Sequence, residues 1–308
     1  MKQTSETGGE ASQDPSGSAS PASGRVAAWK LLAAHPVTLF SIFVLTCIVV
    51  VALAAPWIAP YGVNQTDVSR ALQPPSAAHW MGTDDLGRDV MSRIIAATGT
   101  SMQIAVASVV FAFMVGVPIG ILAGYVGGLV DAVLMRVVDV MFAFPVLLLA
   151  LAIVAILTPG QLTTMIAIGV VFTPIFARVA RASTLSVRVE PFVQVSRTMG
   201  TPGWWILLRH ILPNITGPIV VQTSLSLAFA ILSEAALSFL GLGIQPPYPS
   251  WGGMLFDAQG FMSQAWWMSV FPGAAIFIAV LAFNLLGDGL RDVLDPKQRT
   301  LAELRRKR

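Results

Sequence analysis

Few side chains in this sequence could do chemistry, and their spacing decides which. Five ionisable residues lie within or beside long apolar runs: Asp131, Arg136, Asp139, Glu234 and Asp288. A charge in hydrocarbon costs about 2.5–3.5 kcal/mol on insertion scales, so each calls for a partner or for water. Asp139 follows Arg136 by three positions, the spacing of a helical ion pair. Glu234, in the stretch SEAALSFLGLG, has two open readings: it faces a pathway, or it hydrogen-bonds a neighbouring helix. As a proton carrier, Glu234 or Asp139 would serve a secondary transporter. Other chemistries close quickly. There is no G-x-x-x-x-G-K-[ST] loop and no lysine between Lys30 and Lys297, so the chain has no cradle for the phosphates of ATP. H-E-x-x-H and G-x-S-x-G are absent too, and His35, His79 and His210 are scattered, which leaves no nucleophile with a base and no expected catalytic or metal-ligating residue. Cys47 is the single cysteine, so no intrachain disulfide forms.

The elements that would position these groups are membrane helices. With 55% hydrophobic residues, 11% charged residues and a mean hydropathy of +0.73, the chain is an all-α integral membrane protein. Six segments are long and apolar enough to span: 37–59, 101–125, 137–157, 162–178, 216–237 and 266–286. Pro118, Pro145 and Pro174 interrupt the second, third and fourth as tolerated kinks. Gly116, Gly120 and Gly124 share one helix face and permit a close helix approach, with Gly127 and Gly128 following. Residues 1–24 carry hardly an apolar side chain larger than alanine, and a disordered tail is expected over 1–28. The first apolar run reads as an uncleaved anchor, since it starts late and is long for a signal peptide. An even number of spans puts both termini on one side. With that side inside, only Arg70, Arg88 and Arg93 of the 19 Lys and Arg residues fall outside, which orients the chain with both termini cytoplasmic.

One soluble-looking stretch sits between two apolar runs: EPFVQVSRTMGTPGWWILLRHILPN, Glu190 to Asn214. Pro191 suits a first helical turn, Phe192, Val195 and Met199 fall on one face, and Gly200 ends the helix. Thr201 and Pro202 then start a second short helix, Trp204 to Leu212, which Pro213 stops. Nine residues reach about 14 Å, so this second helix lies on or beside the membrane. The pair forms an elbow offered to a partner on the cytoplasmic side.

Two outside regions remain. In 60–100, HWMGTDDLGRDVMSRII predicts a turn and a capped helix, with Asp84 and Asp85 at its positive end and Asp89 paired with Arg93. Its stripe of Leu86, Val90 and Ile94 suits a helix lying flat at the interface, as a structural piece or as the contact for an external receptor through Asp84, Asp85, Arg88 and Asp89. After the fifth span, Pro246, Pro247 and Pro249 oppose regular structure, while Tyr248, Trp251, Trp266 and Trp267 read as interfacial anchors. The expected organisation is therefore the tail 1–28, a first helix and outside region 29–100, a five-helix core 101–290 containing the elbow 190–214, and a basic cytoplasmic tail 291–308.

These strings resemble a known family. Gln194-Val195-Ser196, then Gly200, then His210-Ile211-Leu212-Pro213 is similar to the cytoplasmic "EAA" loop of ABC-importer permeases, with Gln-Val-Ser in place of the name-giving residues. His79 to Arg93, Met135 to Pro145, Ser233 to Leu255 and Phe283 to Pro296 resemble the second permease of the dipeptide, oligopeptide, nickel and glutathione importers. The resemblance implies a six-helix type I importer permease (MetI-like) fold, a heterodimer with a sister permease, two ABC ATPase subunits inside and a solute-binding protein outside. It assigns ATP and Mg to the ATPase subunits, no cofactor to this chain, and coupling to Gln194, Val195, Ser196, Gly200, His210, Leu212 and Pro213. Peptides are the expected solute, with nickel or glutathione as alternatives. Membrane lipid is the remaining partner, and no nucleic acid is expected.

Overall fold

The computed structural model describes residues 36–294, all of whose regular structure is helical. The tail 1–28 and most of the basic tail 291–308 lie outside the described residues. Nine α-helices are numbered here in chain order: α1 Pro36–Ile58, α2 Val90–Val126, α3 Gly128–Phe142, α4 Val146–Leu157, α5 Gln161–Val187, α6 Pro191–Thr198, α7 Gly203–Phe239, α8 Trp251–Ala258 and α9 Trp267–Leu294. Five of them (α1, α2, α5, α7 and α9) are long and apolar enough to cross a membrane, and α3 and α4 reach that length and hydropathy only taken together across an 88° bend, as a broken span or a re-entrant loop.

The α2–α5 pair is the most extensive helix contact and the centre of the fold. Gly116, Gly120 and Gly124 create it. A methyl group at Gly116 would sit 2.5 Å from the Thr173 carbonyl oxygen, one at Gly120 would overlap the Ala177 carbonyl, and one at Gly124 would lie 2.8 Å from the Thr184 side chain. The two backbones therefore touch because side chains are missing between them. Ser108 Oγ ties the helices by donating to the Met165 carbonyl oxygen at 3.0 Å. Around this pair, α7 packs on both helices, α9 on α7, and α1 on α9 and α2. Gly127 and Gly128 take no part in that contact. At φ +73° and +56° they form the corner from α2 into α3, which glycine adopts without strain.

Four expected boundaries are corrected. The third span is not straight, because the helix is interrupted over residues 143–145: Pro145 has no N–H to donate and crowds the preceding turn. Pro118, Pro174 and Pro272 stay inside continuous helices. The second span begins at Val90, so no separate interfacial helix precedes it and the division at residue 100 falls inside α2. The fourth span continues to Val187, beyond Arg178. Finally, the second short helix of the elbow is the head of α7. Pro213 does not stop it: Leu207–Ile211 widens into a π-helical turn, closed by Leu212 N–H donating to Leu207 O, which absorbs the donor that Pro213 lacks.

Candidate functional site

At one end of the bundle, α5 leads through Arg188 into α6, and α6 turns back into α7. The turn is a Schellman motif: Gly200, at φ +76°, donates to Arg197 O at 3.0 Å and Thr201 N donates to Ser196 O at 3.1 Å. Only Val193 of α6 is buried. The predicted face of Phe192, Val195 and Met199 is exposed, as are Trp204, Trp205 and Leu208 at the head of α7. These side chains are left uncovered by the chain's own core.

The elbow is nevertheless fixed to the bundle. Arg188 Nη1 donates to Gly124 O at 2.7 Å, and the Arg197 guanidinium lies 4.7 Å from the Tyr125 ring centroid, so α6 hangs on the end of α2. Gln194 Nε2 donates to Arg188 O at 3.0 Å. Ser196 Oγ stands 3.4 Å from His210 Nε2, linking α6 to α7, and the Phe192 and His210 rings are 6.0 Å apart. Val195 is open, Leu212 closes the π turn and Pro213 is exposed. The predicted coupling residues thus converge on one protruding unit. Pro202, not Thr201, holds the cap position of α7.

Next to the elbow, two ion pairs join α3 to α5. Asp131 accepts both Arg181 Nε and Nη2, at 2.5 and 2.6 Å. Asp139 accepts Arg178 Nη2 at 2.8 Å, and Arg178 lies over the Phe142 ring at 4.0 Å. The expected Arg136–Asp139 pair is therefore replaced by one across helices, since packing α3 on α5 brings a second arginine within bonding distance. Sequence spacing within one helix carried no signal for it.

The opposite end is a closed cap. Asp84 Oδ1 accepts Leu86 N and Arg88 N, while its Oδ2 accepts Arg88 Nε at 2.6 Å. Arg93 bridges Asp84 at 3.6 Å and Asp257 of α8 at 3.5 Å. Asp89 caps α2 by accepting Ser92 N, and bonds buried His79 at 2.8 Å. The expected Asp89–Arg93 pair does not form, because capping turns Asp89 back toward the chain. Asp84 and Asp89 are buried, whereas Asp85 and Arg88 are partly open, so the group expected to meet a receptor is mostly an internal clasp. Burial raises the Asp257 carboxyl above its ordinary value, opposed by Arg93 and Arg88.

The tryptophans and prolines of this end also differ from expectation. Trp251 and Trp267 are interior: Trp267 Nε1 donates to Thr83 O at 3.0 Å, and Trp251 N donates to Ser101 Oγ at 3.2 Å. Beyond the prolines, Ser250 caps a helix, α8, that the sequence reading missed. The Ser–x–x–Gly start was its available signal. Glu234 lies beneath α8, 0% exposed. Its Oε1 accepts Ser238 Oγ at 2.7 Å, and the hydroxyls of Ser250 and Ser101 also face the carboxyl.

Comparison with known proteins accords with this architecture. The family profile described as "binding-protein-dependent transport system inner membrane component" matches residues 116–300, and "N-terminal TM domain of oligopeptide transport permease C" matches 26–75. The chain is 43% identical to the dipeptide transport system permease protein DppC of Alkalihalophilus pseudofirmus, over 89% of this chain and 90% of that one. It is 45% identical to the glutathione transport system permease protein GsiD of Pectobacterium atrosepticum, over 87% and 89%. In fold it is similar to the MetNI methionine ABC transporter in inward-facing conformations, with a TM-score of 0.57, 16% identity, and coverage of 67% of this chain and 98% of that one. The chain therefore belongs to the binding-protein-dependent transport system inner membrane components, as a multi-pass permease subunit of an ABC transporter with the MetI-like fold.

Proposed function

We propose that this chain is the non-catalytic permease subunit of an ATP-driven importer for di- and oligopeptides. It forms the solute path with a sister permease, receives solute from an external binding protein, and is driven by two ATPase subunits that carry the ATP and Mg. Both termini and the elbow face the cytoplasm. The relatives named for dipeptide and glutathione transport support a peptidic solute, glutathione being itself a tripeptide.

The observation that carries the reading is the elbow. Phe192, Val195 and Met199 are exposed on a helix that buries one residue of its own, yet Arg188, Arg197 and Ser196 bind that helix to α2 and α7. A partner gripping α6 would move those helices with it. The path opens outward and inward alternately as the ATPases close and part, and this chain makes and breaks no bond. Glu234, enclosed under α8, acts as a brace from α7 to Ser250 at the start of α8 and Ser101 of α2.

Cysteine crosslinking tests this. In a Cys47→Ala background, Ser196→Cys or Thr201→Cys is expected to crosslink to an ATPase subunit and to resist impermeant reagents added outside intact cells. Labelling from outside, or crosslinking to no ATP-hydrolysing protein, would overturn the assignment.

A further inference from the structure

We propose that the cleft between α3 and α5 is a binding subsite for the charged groups of a zwitterionic solute, Asp139 receiving an ammonium and Arg178 a carboxylate. This rests on the importer reading above. The argument begins with two ion pairs built from the same two helices. Asp131–Arg181 is bidentate, and its side chains are 20% and 34% exposed. Asp139–Arg178 makes a single hydrogen bond, with 54% and 51% of the side chains exposed. Bidentate carboxylate–guanidinium geometry fixes orientation, whereas a half-exposed single contact contributes little to stability and exchanges easily. One pair joins the helices, and the other is free to trade partners.

The surroundings point the same way. A cleft of about 480 Å³, lined by Met135, Asp139, Arg178, Arg181 and Ala182, opens beside the exposed pair. The pair stands near the elbow, on the side the charge count places inside, so its half-exposed side chains face water at the inner end of the helices. The contrast is α1, whose exposed side carries Phe40, Phe43, Val50, Leu53 and Trp57 and no charge. Phe142 holds one face of the Arg178 guanidinium, leaving its edge for a planar carboxylate. Opposite charges stand 2.8 Å apart at the cleft wall, so a ligand that exchanges with this pair meets both signs, which the two termini of a short peptide carry.

The test uses the whole complex, both permeases, ATPases and receptor, in lipid nanodiscs with a cationic methanethiosulfonate and dialanine as probes. In a Cys47→Ala background, the reagent is expected to modify the thiol of Asp139→Cys or Ala182→Cys about tenfold faster than native Cys47 in the parent, a difference in barrier of about 1.4 kcal/mol. Ala182→Cys removes no charge, so it guards against misfolding. Dialanine should slow modification, and its N-acetylated, C-amidated form should not. In vesicles, Arg178→Gln and Asp139→Asn should reduce ATP-driven uptake of dialanine by about tenfold, the loss of one charge-assisted contact. Modification no faster than at Cys47 would overturn the proposal, as would dialanine giving no protection. Protection by anionic phospholipid alone would assign the cleft to a headgroup and also overturn it. Labelling and protection need no transport, so parent vesicles without ATP-driven uptake would sink the importer reading and leave this one standing or falling separately.

Discussion

The two ends of the bundle are built on opposite plans. At the α8 end, the polar side chains are turned inward and bonded largely to one another: Asp84 binds Arg88 and Arg93, Asp89 binds His79 and Ser92, and Trp267 binds Thr83, while His79 Nε2, Arg93 Nη1 and Glu234 Oε2 are buried without a hydrogen-bond partner among the described residues. At the elbow end, Phe192, Val195 and Met199 stand outward, and only Val193 of α6 is buried. One end is closed by its own chain, and the other presents the face proposed above to meet an ATPase subunit. Between them α2 and α5 are held in close backbone contact at three glycines.

On that contrast, damage at the closed end reads out as lost stability, and damage at the elbow as lost coupling. The largest effect is expected from Asp84→Ala, which strips Arg88 and Arg93 of their shared carboxylate. Breaking a buried pair costs about 3–5 kcal/mol, so thermal unfolding in detergent should shift sharply downward. An unmoved transition would break the comparison at its stronger side. Gly200→Pro comes next: φ +76° is closed to proline, and the Gly200 N–H bond to Arg197 O is lost. Solute moved per ATP hydrolysed should fall by about tenfold or more, with the protein still in the membrane, roughly the 1–3 kcal/mol of local backbone strain acting on the coupled state. Normal coupling in that variant would remove the elbow from the mechanism.

Smaller effects sharpen the boundary. Met199→Ala should leave unfolding within about 0.5 kcal/mol of the parent, as exposed positions do, while weakening co-purification with the ATPase. Glu234→Gln keeps an oxygen acceptor for Ser238, so a change of about 1 kcal/mol in stability and unaltered uptake are expected. A large loss of uptake would restore the pathway role. The subtlest concerns Asp257. Because its folded carboxyl is raised by burial above the ordinary 3.8, its favourable contribution is complete below that value and lost as pH rises through the folded one. Asp257→Asn does not titrate, so its stability relative to the parent should improve as pH climbs through that window. An unchanging difference would mean that Arg88 and Arg93 cancel the burial effect.

Much of this was legible from residues alone. Six apolar stretches, the glycine stripe and the Gly200 turn each depend on neighbours within a few positions, and the absence of a phosphate-binding loop is a statement about the string itself. The errors came where a local rule competed with a distant contact. Asp139 had a partner three residues away and took one thirty-nine residues away instead. Pro213 has the local form of a helix stop, yet the π turn carries α7 through it. Ser250 caps α8 directly after a proline-rich run that suggested irregular backbone.

By itself, then, the sequence determined that the chain lives in a membrane, where its apolar helices lie, and where it turns between them, because hydropathy and turn chemistry are summed over adjacent residues. Only the tertiary structure decided which charges pair, which tryptophans are interior, and that Glu234 is enclosed. Those outcomes depend on which helices become neighbours, and that is fixed by the α2–α5 contact, between glycines and carbonyls some sixty positions apart.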